Sequence, residues 1–195
     1  MPALQFVRRH FRAALVIVVV VSAVGGWLAS RQSTPPVDAR LTTPGEVPYP
    51  QLSTNEDVVG IELPDISVTD ESSQSVSIRS FTGRPLVINF WYSTCEPCRR
   101  EMPVLAESAA KRAGAVKFIG VNMNDSMEIA REFANRYGVT YDLVFDVNGS
   151  LARALGVATA PVTLFVDPTG VIVGQVAGEI TAATLDERLR EWFSL

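Results

Sequence analysis

Two cysteines separated by two residues are the part of the chain best suited to chemistry. Cys95 and Cys98 are the only cysteines among the 195 residues, and Glu96 and Pro97 lie between them. A thiolate is the nucleophile in thiol–disulfide exchange, and a second thiol nearby can complete the exchange. Two buried cysteines that only pack would fit poorly with these polar and charged neighbours, so the motif indicates a redox-active dithiol.

Other uses of a cysteine pair fit the sequence less well. A zinc site needs four ligands, and the single histidine, His10, lies near the N-terminus, apart from the motif. A covalent haem site requires a histidine directly after the second cysteine, where this chain has Arg99. A peroxidatic cysteine usually follows the pattern P-x-x-x-T/S-x-x-C, whose first two defined positions here are Ile88 and Tyr92. We therefore expect no metal and no cofactor besides the cysteine pair itself.

The residues around the motif predict a strand followed by a helix. Residues 86–91 are apolar and rich in β-branched and aromatic side chains, which is typical of a buried strand. After it, Cys98, Met102, Leu105 and Ala109 recur at helical spacing. Cys95 then lies at the helix N-terminus, where free backbone N–H groups stabilise a thiolate, and Pro97 suits the first turn.

The first 30 residues predict a membrane anchor. Residues 1–12 contain three arginines and no acid, and residues 13–30 are uncharged and mostly apolar. As a helix, the second stretch would measure roughly 27 Å, near the hydrocarbon thickness of a bilayer. The arginines predict a cytoplasmic N-terminus, so the rest of a single-pass protein would face the outside of the cell membrane. The alternative is a cleaved signal peptide. In either case the domain lies outside the cytoplasm, where a disulfide can persist.

Composition divides the remainder into a linker and a folded domain. Residues 31–55 contain five prolines among Ser, Thr, Gln and charged residues, which predicts a linker with polyproline II character. Residues 56–195 form the predicted domain. The net charge of residues 31–195 is −7, because removing the three N-terminal arginines from the 17 basic residues leaves 14 against 21 acidic residues. Nucleic acid is therefore not an expected partner.

Hydrophobic periodicity predicts an α/β domain. The predicted elements are a β pair at 60–68 and 75–78, the strand and helix of the motif, a strand at 116–121, a helix at 125–137, a strand at 143–145, a helix at 150–155, strands at 162–166 and 171–177, and a helix at 181–193. Asp125 and Glu128 are the predicted capping pair of the second helix. Strand–helix–strand segments followed by a hairpin and a final helix imply a mixed sheet covered by helices.

Taken together, these features resemble the thioredoxin fold. The order of elements, the motif W-x-x-x-C-E-P-C at 91–98 and the sequence G-V-A-T-A-P-V-T at 156–163 carry the resemblance. More narrowly, the chain is similar to membrane-anchored, extracytoplasmic thiol-disulfide oxidoreductases of the TlpA/ResA-like group, which includes reductases serving cytochrome c maturation. The resemblance implies a central mixed sheet with an N-terminal β-hairpin extension and an inserted strand–helix segment within 124–155.

The resemblance also assigns roles to individual residues. It implies that Cys95 is the nucleophile and Cys98 the buried resolving cysteine. It implies that Pro161 is a cis-proline facing the dithiol, and that Glu101 is a buried acid that assists proton transfer. Burial of Glu101 would raise the pKa of its carboxyl group. Asn89 occupies the position where cytoplasmic thioredoxins have a buried aspartate.

Five residues are candidates for contact with the substrate. They are Trp91, Glu96, Pro97, Ala160 and Pro161. Two of them have an equally simple structural explanation, since Trp91 could pack under the motif and Glu96 could be an exposed charge. Ala160 is smaller than the residue that many relatives have before the proline.

The function that the resemblance implies is reduction of disulfides outside the cytoplasm. The expected substrates are exported proteins, such as an apocytochrome c with a C-x-x-C-H disulfide, and the expected electron source is a thiol–disulfide donor in the membrane. Three alternatives remain open at this point. The same dithiol could oxidise exported proteins, or the fold could be a non-catalytic module that binds a metal or a partner. In the third, the role of the protein is purely structural and the dithiol is incidental.

Overall fold

The computed structural model describes residues 17–28 and 54–194. Residues 17–28 form a helix, α1, whereas residues 13–16 and 29–30 of the predicted anchor lie outside the described residues. Within the described residues, no helix combines the length and the apolar character that a membrane crossing requires. The anchor and the domain boundaries therefore stay predictions, and almost all of the predicted linker lies outside the described residues.

The folded unit contains a seven-stranded mixed sheet with helices around it. In chain order the elements are β1 (Ser67–Asp70), β2 (Ser75–Ser77), a 3-10 turn (Ile78–Phe81), β3 (Leu86–Trp91), α2 (Glu96–Arg112), β4 (Lys117–Asn122), α3 (Met127–Arg136), β5 (Asp142–Phe145), α4 (Ser150–Ala154), β6 (Val162–Val166), β7 (Ile172–Ala177) and α5 (Ala182–Phe193). The strand order in the sheet is β2-β1-β5-β4-β3-β6-β7. Strands β3, β4 and β5 are parallel, whereas β6 pairs antiparallel with β3 and β7, and β1 pairs antiparallel with β2 and β5. The predicted mixed sheet with flanking helices is confirmed.

Strand β3 separates two apolar regions of the core. All six of its residues are buried, and successive side chains of a strand point to opposite faces. Leu86, Ile88 and Phe90 belong to one cluster, whereas Val87 packs with residues of α2 and α5 in another. Asn89 alternates in phase with Val87, so it faces the motif helix.

One predicted strand boundary and one predicted helix cap differ from the structure. The predicted β pair is present, but its first strand begins at Ser67 and not at residue 60; before it, Glu62 forms an isolated bridge with Val171. Helix α3 is capped by Ser126, whose hydroxyl group accepts a hydrogen bond from the N–H of Ile129. Asp125 is not the cap, because its carboxylate accepts hydrogen bonds from Ser93, in the turn before the dithiol.

Candidate active site

The two cysteines form a disulfide across the first turn of α2. Cys95 is the N-cap residue, and its sulfur accepts a hydrogen bond from the N–H of Cys98 at 3.2 Å. Cys98 is fully buried and Cys95 is 4% exposed, so Cys95 is the more accessible of the two. Once the disulfide is reduced, the N–H groups of this helix terminus favour a thiolate at Cys95.

A tight turn connects β3 to the dithiol, and a carboxylate holds it. The N–H of Cys95 donates to the carbonyl of Tyr92 at 3.1 Å. Inside the turn, Asp125 accepts from the N–H and the hydroxyl group of Ser93, at 2.7 and 2.6 Å. Asn122, at the end of β4, donates to the same carboxylate at 2.7 Å. This contact was not predicted; its only signal in the sequence is that β3 and β4, as parallel neighbours, end side by side.

The charged residues beside the dithiol neutralise one another. The side chain of Glu96 is 66% exposed and forms ion pairs with Arg99 at 3.1 Å and Arg100 at 3.6 Å. Arg100 also pairs with Glu179 at 2.6 Å. Pro97 is half-buried in the first turn. The rim of the site therefore presents paired charges instead of a net positive patch.

Glu101 is the buried acid of the site. It is completely inaccessible to solvent and lies one helical turn after Cys98. Its carboxylate accepts hydrogen bonds from the side-chain amide of Asn89 at 2.7 Å and from the N–H of Ile180 at 2.9 Å. Burial raises the pKa of Glu101 to about 7, although these two hydrogen bonds oppose the increase. The predicted burial of Glu101 is present in the structure, and the direction of its pKa shift agrees with the prediction.

Two residues of the hydrogen-bond network around this acid were not predicted from the sequence: Thr163, which bonds Asn89, and Ile180, which bonds Glu101 itself. Thr163 accepts a second hydrogen bond from the amide of Asn89 at 3.1 Å, and Ile180 contributes only its backbone N–H. Thr163 belongs to segment 156–163, which carries the family resemblance, and it is the second residue of β6. The resemblance could therefore have pointed to it. A backbone donor such as Ile180 leaves no signal in the side-chain pattern.

Trp91 forms part of the apolar support of the dithiol. It is fully buried, and its ring stacks on Phe133 with centroids 5.4 Å apart. Both cysteines and Met102 belong to the same apolar cluster. The absence of exposed surface favours packing of Trp91 under the motif, and contact of Trp91 with the substrate stays a prediction.

The segment before β6 brings a cis-proline to the same end of the sheet. The peptide bond between Ala160 and Pro161 is cis, as predicted. Val162 pairs with Phe90, so the start of β6 lies beside the end of β3, which leads to the dithiol. Pro161 is buried, and half-buried Ala160 packs against the cluster that contains both cysteines.

The described residues offer no constellation for a metal ion. Within residues 17–28 and 54–194, no group of three or more His, Cys, Asp or Glu side chains is placed to bind one. The chemistry available to the assembled site is that of two thiols, one buried carboxyl group and the backbone donors of a helix terminus.

Comparisons with known proteins agree with this geometry. Residues 59–175 match the AhpC/TSA family. The thiol-disulfide oxidoreductase ResA of Bacillus thuringiensis subsp. konkukian is 27% identical over 134 residues, which cover 68% of this chain and 78% of that protein. The solved structure of MTB dsbF is 30% identical with a TM-score of 0.60, and the match covers 65% of this chain and 94% of that one. The fold is shared with a secreted disulfide oxidoreductase of Mycobacterium tuberculosis, whose structure is 23% identical with a TM-score of 0.60. That match covers 65% of this chain and 96% of the other. This chain is thus a thiol-disulfide oxidoreductase with a thioredoxin-like fold, and it belongs to the AhpC/TSA family.

Proposed function

We propose that the protein reduces disulfides of exported proteins on the outer side of a bacterial cell membrane. The proposed substrates include apocytochrome c, whose C-x-x-C-H cysteines must be reduced before haem attaches. The observation that carries the proposal is the buried carboxyl group of Glu101, one helical turn beyond the buried thiol of Cys98. A carboxyl group with a pKa of about 7 can accept or return a proton near neutral pH.

The reaction begins with reduced protein and oxidised substrate. The Cys95 thiolate attacks one sulfur of the substrate disulfide, a bond forms between these two sulfurs, and the other substrate sulfur leaves as a thiolate. Cys98 then loses its proton and attacks the Cys95 sulfur. The Cys95–Cys98 disulfide forms, and the second substrate sulfur leaves. Two electrons pass from the protein dithiol to the substrate, which ends with two thiols.

Glu101 acts in the second step. A carboxylate near Cys98 disfavours the thiolate there, so Cys98 stays protonated while Cys95 makes the first attack. When Cys98 attacks in turn, Glu101 accepts its proton. Asn89 and Ile180 keep the carboxylate in place for this transfer through their two hydrogen bonds.

The proposed partners follow from the location and direction of the reaction. A reductant outside the cytoplasm must be reduced again by electrons that cross the membrane, so a membrane thiol–disulfide donor is required. The N-terminal segment would hold the enzyme at that membrane. Substrate contact is assigned to Ala160 and Pro161, with Glu96 and Pro97 at the exposed rim.

A redox titration of the full-length protein tests the direction. We expect a reduction potential well below the roughly −120 mV of a strongly oxidising protein of this fold. A value near −120 mV would contradict the reductase assignment and support the oxidase. Failure to exchange with any peptide disulfide would contradict both and support a non-catalytic binding module.

A further inference from the structure

The loop that precedes the cis-proline is held by a residue from the beginning of the folded unit. The side-chain oxygen of Asn55 accepts hydrogen bonds from the N–H groups of Ala158 and Thr159, at 2.8 and 2.9 Å. Ala160 and Pro161 follow directly. A single oxygen that binds two successive N–H groups restricts the backbone at both residues. Asn55 therefore fixes the approach to the cis-proline.

The segment that contains Asn55, residues 55–58, is itself fixed on two sides. The N–H of Glu56 donates to the carbonyl of Gly156 at 2.9 Å. On the other side, the amide of Gln175 in β7 donates to the carbonyl of Glu56 at 2.8 Å, and its oxygen accepts from the N–H of Val58 at 3.1 Å. Val58 is buried. This N-terminal strap, as we call residues 55–58, thus connects β7 to the loop 156–159.

The strap and the loop also fit each other closely. Gly156 has a φ of +58°, and a Cβ atom built there would lie 2.4 Å from the Cβ of Glu56. Any larger residue at position 156 would displace the strap. The contact is therefore a defined interface between two segments about 100 positions apart.

We propose that Asn55 is a positioning residue for substrate binding. It holds residues 158–160 in the conformation in which Ala160 and Pro161 meet the substrate, an assignment that rests on the proposed function. Without these two hydrogen bonds, the loop must be ordered when the substrate binds, which weakens binding. The hydrogen bonds of Asn55 end on the loop backbone, so the intrinsic reactivity of Cys95 does not depend on it.

Three variants of the full-length protein test this assignment. Asn55→Ala removes the acceptor, whereas Asn55→Asp keeps an oxygen that can accept from both N–H groups. Asp70→Ala is the matched control, because one oxygen of Asp70 likewise accepts from the N–H groups of Ser72 and Gln74, both at 2.8 Å. That contact lies in the turn between β1 and β2, at the far edge of the sheet from β6.

Each variant is measured in three ways. The first is steady-state reduction of a peptide disulfide with the sequence C-x-x-C-H. The second is the rate at which iodoacetamide alkylates Cys95 in the reduced protein, which needs no docked substrate. The third is hydrogen exchange at the amides of Ala158 and Thr159.

For Asn55→Ala we expect a KM about fivefold higher with kcat unchanged, faster exchange at both amides and an unchanged alkylation rate. Asn55→Asp should restore the wild-type KM, and Asp70→Ala should leave all three measurements unchanged. An unchanged KM in Asn55→Ala, an equal loss in Asp70→Ala, or no recovery in Asn55→Asp would overturn the assignment while the proposed function stands. A wild-type protein that fails to reduce the peptide would overturn the proposed function, and this assignment with it.

Discussion

The raised pKa of Glu101 makes the stability of the protein depend on pH in a calculable way. The pKa increases from an ordinary value of 4.5 to about 7 on folding, chiefly because the carboxyl group is buried. Between these two values the folded state holds the proton more tightly than the unfolded state. The free energy of unfolding therefore decreases as the pH rises through this window. Since each pKa unit corresponds to about 1.4 kcal/mol, the loss amounts to about 3 kcal/mol.

The substitution Glu101→Gln isolates this effect. Glutamine keeps the shape of the side chain and cannot ionise, and all other titrating groups are shared with the wild type. The difference in unfolding free energy between wild type and variant should therefore shift by about 3 kcal/mol in favour of the variant from pH 4.5 to pH 8. Well below pH 4.5, where Glu101 is protonated in both states, the difference should become constant.

Urea denaturation of the disulfide-bonded proteins at a series of pH values measures this difference. Glu107→Gln is the matched control, because Glu107 lies on the same helix with a side chain that is 67% exposed. Its difference from the wild type should be nearly independent of pH. A flat difference for Glu101→Gln as well would refute the argument, because the buried carboxyl group would then have no raised pKa in the folded protein.

Three further predictions concern the reaction and the turn that presents the dithiol. Cys98→Ser should accumulate a mixed disulfide between Cys95 and a peptide substrate, whereas Cys95→Ser should not; mass spectrometry showing the reverse would exchange their roles. In single-turnover reduction of a C-x-x-C-H peptide, Glu101→Gln should slow resolution of the mixed disulfide, and thiol alkylation against pH should show a lower apparent pKa for the pair. If the single-turnover time course and the alkylation profile both match those of the wild type, Glu101 has no acid–base role. Asp125→Ala should lower the unfolding free energy by about 1–3 kcal/mol, because Ser93 loses both of its hydrogen bonds to the carboxylate. Urea denaturation that detects no loss would show that this contact does not hold the turn.

The elements around the dithiol were predictable because their signals are local. The apolar run of β3 and the helical spacing of α2 are each contained in a short stretch of sequence, and both agree with the structure. The burial of Glu101 is different. Its spacing from Cys98 is equally compatible with an exposed charge, and its hydrogen-bond donors are at positions 89 and 180. The family resemblance indicated this burial, whereas periodicity could not.

Local rules failed where a distant partner competes for a side chain. Asp125 matches the sequence signature of a helix cap, but its carboxylate accepts two hydrogen bonds from Ser93, 32 positions earlier. Ser126 caps the helix instead. Asn55 is the last residue of the proline-rich stretch, residues 31–55, that predicts a linker. Its hydrogen bonds are made to residues 158 and 159, more than 100 positions away. Neither contact could be inferred from nearby residues.

The pairing of Glu101 with Asn89 explains why only one acid can occupy this part of the core. The amide of Asn89 donates to the carboxylate at 2.7 Å and to Thr163 at 3.1 Å. An aspartate at position 89 would bring two carboxyl groups to hydrogen-bonding distance. Two carboxylates that close cannot both ionise, so they would share a proton and titrate as a pair. A donor on β3 therefore suits an acid on α2 better than a second acid would, and the amide of Asn89 leaves Glu101 available for the proton exchange with Cys98 that we propose.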